Sequence, residues 1–291
     1  MSMLSLVRAA GSDPDLWLTL NTGLTADWLV AFLRDEVTRK RRVTKAVIGL
    51  SGGVDSAVTT YLAARAFGPE NVHVFLLPYK VSSQASLDHA RLIVDDLGLP
   101  NRVIEITQMV DGYLCGYEDD ADGTRIGNVC ARSRAVILFD QAAKLGGLPL
   151  GTGNKTERLF GYYTWHADDS PPINPLGDLY KTQVWALAKE LGVPEVVISK
   201  PPTADLVQGQ TDEKDFGISY AKADQILSRH LAGLSRQRIH LDGFTHEEID
   251  LVIRRVARTH WKRHMATSAM ISNTAINEFY LRPVDYLAVS A

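Results

Sequence analysis

The chain has 291 residues, of which 45% are hydrophobic and 22% charged, with a formal net charge of −3. These values are ordinary for a water-soluble globular protein, and a charge so near neutral speaks against a broad nucleic-acid surface while leaving room for local basic pockets. No run of about 18 uncharged apolar residues occurs and no basic stretch leads into an apolar one at the N-terminus, so neither a membrane span nor a secretory signal is expected.

In chain order, "DWLVAFLRDEV" (27–37) has the spacing of an amphipathic helix. The basic run after it, up to Arg42, reads as a solvated helix end. "VTKAVIGL" (43–50) is predicted to be a buried strand, and residues 56–67 the helix that follows. Strands over 71–78 and 102–106 alternate with a helix over 82–97 that ends at Gly98. A helix over 128–145, closed by Gly146 and Gly147, precedes a short strand at 148–152. A further helix spans 180–191. Strands separated by helices in this way imply right-handed crossovers and an α/β fold with an open, doubly wound parallel sheet. The polar segments 160–175 and 200–217 are expected to be functional loops. One more helix is predicted over 245–262. The two cysteines, Cys115 and Cys130, have no zinc-type spacing and read as idle thiols in a reducing cytoplasm.

The chemistry concentrates after the first strand, in "SGGVDS" (51–56). Glycines let backbone N–H groups approach an anion, and the helix N-terminus adds partial positive charge. The hydroxyls of Ser51 and Ser56 can donate to phosphate oxygens, and Asp55 can hold a divalent cation. No lysine follows the glycines as in G-x-x-x-x-G-K-[ST], and "GTGNKT" (151–156) lacks the third glycine of a dinucleotide fingerprint. Kinase and dehydrogenase readings therefore weaken. His260 and His264, four residues apart, have neither the glutamate nor the third ligand of a zinc site.

"SGGVDS" resembles the pyrophosphatase loop of the N-type ATP-dependent ligases, which cleave ATP between the α- and β-phosphates. Three further segments, 131–164, 175–194 and 200–224, narrow the resemblance to the NAD synthetases, from about residue 27 to residue 262. That family amidates nicotinic acid adenine dinucleotide (deamido-NAD) to NAD with ATP and magnesium, on a Rossmann-like adenine-nucleotide α-hydrolase fold. The resemblance implies an ATP site of Gly49, Leu50, Ser51, Gly52, Gly53, Val54, Asp55, Ser56, Thr152, Lys181 and Thr203. It implies magnesium on Asp55 and Glu157, and substrate contacts from Arg132 and Lys262. A lysine at 181, early in a helix, also needs an anion nearby on physical grounds. It further implies a cytoplasmic homodimer, with helices around 128–145 at the contact. The whole chain is expected to be one domain, with residues 1–26 an extension and 263–291 a tail.

One segment departs from the family pattern. "TWHADDSPPINP" (164–175) has Trp165 where the family's substrate lysine is expected and Pro172 where an aspartate is expected, and Trp261 precedes Lys262 in place of the usual residue. A tryptophan stacks on a pyridine or adenine ring but cannot neutralise a carboxylate. Either Trp165, His166, Asp168 and Asp169 rebuild the pocket around the same substrate, or the acceptor is another carboxylate such as nicotinic acid mononucleotide. A nucleotide-binding module without turnover is the third alternative. The resemblance implies attack of a carboxylate on ATP, then of ammonia on the acyl-adenylate, with Asp205 or Asp168 taking a proton from ammonium. A glutamine-using enzyme needs an amidase domain with a nucleophilic cysteine; the short stretch before the loop leads to free ammonia, or ammonia from a separate subunit.

Overall fold

The computed structural model describes residues 17–118, 120–203, 211–264 and 268–271. Four parallel strands, β1 (Lys45–Gly49), β2 (Val72–Leu76), β3 (Asn101–Val103) and β4 (Gly147–Pro149), form a sheet in the order β3-β2-β1-β4. The chain therefore runs outward from β1 through β2 to β3, then returns to place β4 on the other side of β1. That reversal beside β1 makes the crevice at its carboxyl end the place where such sheets bind ligands.

Both faces of β1 are buried, as its unbroken apolar run requires. Ala46 and Ile48 face one way, with Val72, Val74 and Leu76 of β2, onto α1 (Thr22–Leu33), α2 (Val54–Phe67), α3 (Gln84–Leu97) and α7 (Lys181–Leu191). Val47 and Phe75 face the other way, onto α4 (Thr107–Tyr117) and α5 (Gly123–Leu145). The sheet is thus covered by helices on both sides. A separate apolar cluster joins α6 (Lys155–Phe160), α9 (Asp212–Phe216), α10 (Tyr220–Leu231), α11 (Arg236–Leu241) and α12 (His246–Thr259). Its centre is Phe216, packed edge to face against Phe160, Tyr162 and Tyr220. The four-residue helix α8 (Glu195–Ile198) follows α7 and packs on the larger core.

Several boundaries differ from the sequence expectation, each for a physical reason. Helix α1 begins at Thr22, where Asn21 caps it by accepting from Leu24 N at 3.0 Å, and a π-helical segment, Arg34–Lys40, continues it. Helix α5 begins at Gly123, five residues ahead of the predicted start, capped by Asp122. Gly123 and Gly127 in its first turns mask the periodicity, because glycine is a poor helix former. Gly112 and Gly116 hide α4 in the same way. The predicted loop 200–217 contains α9, and α10 and α11 are further elements the sequence reading lacks. All four strands are shorter than predicted, although single backbone bonds such as Ile104 N to Leu76 O (2.9 Å) and Leu150 N to Val47 O (3.0 Å) extend the pairing past their ends. Among the described residues no helix is long and apolar enough to cross a membrane.

Candidate active site

The loop 51–53 joins β1 to α2 at the carboxyl end of the sheet. Leu50 N still donates to Phe75 O (3.0 Å), and the chain then turns sharply into the helix. Ser56 organises the turn: its Oγ donates to Gly53 O (3.0 Å) and lies 3.1 Å from Ser51 Oγ, while Ser51 N points at it (3.3 Å). Gly52 has φ +74°, and a Cβ there would lie 2.0 Å from the carbonyl oxygen of Ser86 on α3. Only glycine fits that close approach. Gly49 is less confined, since an added Cβ would lie 3.1 Å from a Leu138 methyl that can give way. Val54 is buried at the first position of α2, and Asp55 stands next in that first turn, half-buried.

Three elements converge on Asp55. Asn154, wholly buried, caps α6 and donates from Nδ2 to Asp55 Oδ1 (3.0 Å). The same cap closes a reciprocal box, with Glu157 N donating to Asn154 Oδ1 (2.9 Å) and Asn154 N to Glu157 Oε2 (3.2 Å). An N-x-x-E spacing is the signature of that box, and it aims the Glu157 side chain back toward the loop. Lys181, only 2% exposed at the start of α7, donates from Nζ to Asp55 Oδ2 and lies 3.7 Å from Glu157 Oε1. The anion that an early-helix lysine needs is therefore supplied in part by the protein itself.

The charges are unequal in number. Burial, together with the neighbouring Asp55 charge, pushes the Glu157 carboxyl well above the ordinary carboxylate range despite Lys181. Burial alone would lower the Lys181 amine, but Asp55 and Glu157 outweigh it and hold the ammonium form firmly. Asp212, 4% exposed, adds a further carboxyl raised by burial. Its Oδ2 accepts from Tyr220 Oη (2.9 Å), its Oδ1 has no hydrogen-bond partner among the described residues, and the Tyr220 ring lies 5.3 Å from Lys181 Nζ. A site with more carboxylates than cations accommodates added positive charge. Hard oxygen donors of this kind suit magnesium, which takes one or two protein carboxylates and completes its shell with phosphate and water. Asp55 and Glu157 fit that demand. No group of three or more His, Cys, Asp or Glu side chains among the described residues is arranged to hold a metal without such help.

Thr152 lies half-buried beyond β4, next to Gly151, whose N donates to Ile173 O (2.7 Å). Thr203 is half-buried beside Pro202, whose carbonyl accepts from Asp212 N (3.0 Å). Asp205 lies outside the described residues.

The residues expected at the acceptor end also meet, around the turn 161–169. Arg132 Nη2 donates to Trp165 O (3.1 Å), and the Trp165 and Trp261 rings meet edge to face at 5.2 Å. Lys262 Nζ donates to Gly161 O (2.7 Å) and Tyr163 O (2.5 Å), with burial drawing its pKa down. Asp168 accepts from Thr164 N (2.7 Å). His166 stacks beside Trp165 at 3.9 Å with φ +59°, an uncommon conformation for histidine. His260 and His264 have ring centres 6.3 Å apart and turn edge to face, with His260 Nδ1 at 2.7 Å from Ala257 O.

A glycine loop at the strand-order reversal thus faces an Asp–Glu–Lys group. The NAD synthase family model matches residues 25–266. The chain belongs to that family. It is 45% identical over 261 residues to an NH(3)-dependent NAD(+) synthetase of Trichlorobacter lovleyi, covering 89% of this chain and 95% of that protein. Two solved structures share the fold. An NMN synthetase from Francisella tularensis matches with TM-score 0.77 at 28% identity, covering 86% of this chain and 99% of that one. An NH3-dependent NAD synthetase from Campylobacter jejuni, in complex with nitrate, matches with TM-score 0.74 at 29% identity over 86% and 100%. Asn154, Asp212 and Tyr220 are the residues beside Asp55, Glu157 and Lys181 that sequence reasoning missed. The N-x-x-E spacing could have found the first; the others have no local signature.

Proposed function

We propose that the chain is an ammonia-dependent NAD synthase that turns nicotinic acid adenine dinucleotide into NAD at the expense of ATP. The observation that carries this is the convergence of the 51–56 loop, Asp55, Glu157 and Lys181 in a protein of this family. The substrate carboxylate oxygen attacks the α-phosphorus of ATP, and the bond to the β-phosphate oxygen breaks to release pyrophosphate. Ammonia then attacks the carbonyl carbon of the acyl-adenylate and AMP leaves, while a proton from the attacking nitrogen passes to an acceptor, with Asp205 or Asp168 assigned that role.

The protein supplies position and charge rather than a nucleophile. Gly49 to Ser56 line the phosphates with backbone amides and two hydroxyls, flanked by Thr152 and Thr203. Lys181 stands where charge grows on the departing pyrophosphate, and its protonated state is secured by Asp55 and Glu157. Asp55 and Glu157 would hold magnesium, which would supply further neutralisation of phosphate charge. At the other end Arg132, Trp165, Asp168, Trp261 and Lys262 form the acceptor contact.

The Trp165–Trp261 pair favours one second reading. An apolar aromatic surface at this position, together with a fold shared with an NMN synthetase, makes nicotinic acid mononucleotide the competing acceptor. Pyrophosphate release in ATP, magnesium and ammonium separates the two. The dinucleotide is expected to have the larger kcat/KM, a larger value for the mononucleotide reverses the assignment, and no AMP with either acceptor overturns the ligase reading.

We also infer a single-domain cytoplasmic enzyme that acts as a homodimer. The separate free thiols of Cys115 and Cys130 suit a reducing compartment. An exposed apolar row, Met109, Tyr113 and Tyr117 on α4 with Val136 and Phe139 on α5, supports pairing through that face. Sedimentation at micromolar concentration is expected to give the dimer mass; a monomer there sets the pairing aside.

A further inference from the structure

Asp224 lies on α10, outside the site, and is wholly buried. Its two oxygens accept three hydrogen bonds from two other helices. Thr156 Oγ1, on α6, donates to Oδ1 (2.5 Å); Thr182 donates to Oδ2 from both N (2.9 Å) and Oγ1 (2.8 Å), at the start of α7. The Thr156 hydroxyl in turn accepts from Lys181 N (3.1 Å). One carboxylate and one hydroxyl thus satisfy the first two N–H groups of α7, donors with no partner inside the helix. A negative charge at a helix N-terminus is also favoured by the helix dipole.

The two threonines are the immediate neighbours of the two site residues. Thr156 precedes Glu157, and Thr182 follows Lys181. Burying a carboxylate in a wholly protected position costs stability unless its hydrogen bonds return something, and here all three go to the two helix starts that carry Glu157 and Lys181. We propose that Asp224 is a positioning residue for the reaction: a clasp that holds the starts of α6 and α7 in fixed register, so that Lys181 Nζ stands between Asp55 and Glu157. Asp224 acts only through these neighbours and touches no substrate. This rests on the ATP-dependent ligase reading given above.

The register matters because a cation placed in advance of the charge it stabilises does most for the transition state, and a displacement of about 1 Å is costly. Loosening the clasp therefore lowers kcat while leaving ground-state ATP binding, shared among the loop amides, close to unchanged.

The experiment compares Thr182→Val, Thr182→Ser and Asp224→Asn in pyrophosphate release, each also in a Lys181→Ala background, with melting temperatures alongside. Thr182→Val keeps the N–H and the side-chain shape but removes one of the three bonds; Thr182→Ser restores the hydroxyl. The expected result is a fall in kcat of about 5- to 10-fold for Thr182→Val and more for Asp224→Asn, with KM for ATP within about 3-fold, and recovery in Thr182→Ser. In the Lys181→Ala background the same changes are expected to cost nothing further, because residues that act through one another are not additive. Unchanged kcat in Thr182→Val, or the same loss with and without Lys181, overturns the clasp. Absence of turnover in the unmodified protein instead strikes at the ligase reading itself, so the two failures are distinct.

Discussion

Around Lys181 the contacts run between oppositely charged groups on α2, α6 and α7, and the start of α7 is capped by side chains from other elements, Thr156 of α6 and Asp224 of α10. Around Trp165 the contacts run to backbone carbonyls and ring edges: Arg132 to Trp165 O, Lys262 to Gly161 O and Tyr163 O, Trp165 against a Trp261 that is 51% exposed. Moving the Lys181 group would leave buried charges unpaired, whereas the groups around Trp165 make bonds that a ligand could replace one for one. On the proposed function, the phosphate chemistry falls at the first group and the choice of acceptor at the second.

The largest expected effect breaks the phosphate end. Lys181→Ala is expected to lower kcat for pyrophosphate release by on the order of 10³-fold or more, the scale for losing a preorganised group at developing charge. Asp55→Ala should match it in activity and also lower stability by about 3–5 kcal/mol, since it leaves a buried lysine with its nearest partner gone. Near-normal kcat in either variant would remove that residue from the site.

Next is the loop itself. Gly52→Ala combines φ +74° with a Cβ 2.0 Å from the Ser86 carbonyl, so the loop or α3 must shift. A loss of about 10²- to 10³-fold in kcat/KM for ATP is expected. Gly53→Ala, whose added Cβ meets nothing nearer than Ser51 Oγ at 3.4 Å, is the control and should be mild. Equal behaviour of the two would mean that close approach to α3 is not what the loop requires.

A pH experiment tests how dry the foundation of this end is. Burial raises Asp224 from 3.8 to about 6 although Thr156 and Thr182 donate to it, and Lys181 is the cation facing it. A folded-state pKa above the unfolded one stabilises most below pH 3.8, and that contribution is lost as pH rises through about 6. Asn at this position does not titrate, so the melting-temperature advantage of the native protein over Asp224→Asn should be greatest near pH 4 and shrink until about pH 7. The full change is at most ~3 kcal/mol, or several degrees. A difference that stays flat or grows across that range contradicts burial as the dominant cause.

The two ends were also unequally legible in the amino-acid sequence. "SGGVDS" carries its chemistry in six adjacent residues after an apolar strand, whereas Glu157 is assigned from the family resemblance, its N-x-x-E spacing marking by itself only a helix start. Asp224 meets Thr156 across 68 positions, and Asp212, at the start of α9, comes within reach of the Lys181 charge only through tertiary packing. Nothing in either neighbourhood marks a carboxylate as buried; that follows from tertiary packing alone. In the fold, glycines at 112, 116, 123 and 127 concealed α4 and the start of α5, while the glycine-free α10 and α11 escaped notice as well.

The smallest effect belongs to the acceptor end and sharpens the contrast most. If Trp165 contributes a ring surface and no charge, Trp165→Ala should raise KM for the acceptor by about 10-fold, a little over 1 kcal/mol of lost aromatic contact. Trp165→Phe should recover most of that loss, because an aromatic face remains. In both variants kcat and KM for ATP should stay within about 3-fold, since Trp165 shares no hydrogen bond with Asp55, Glu157 or Lys181 among the described residues. A fall in kcat comparable to that of Lys181→Ala would join the two ends into one coupled site. An unchanged KM would instead move acceptor recognition onto Arg132 and Lys262, whose present bonds to backbone carbonyls a substrate anion would have to displace.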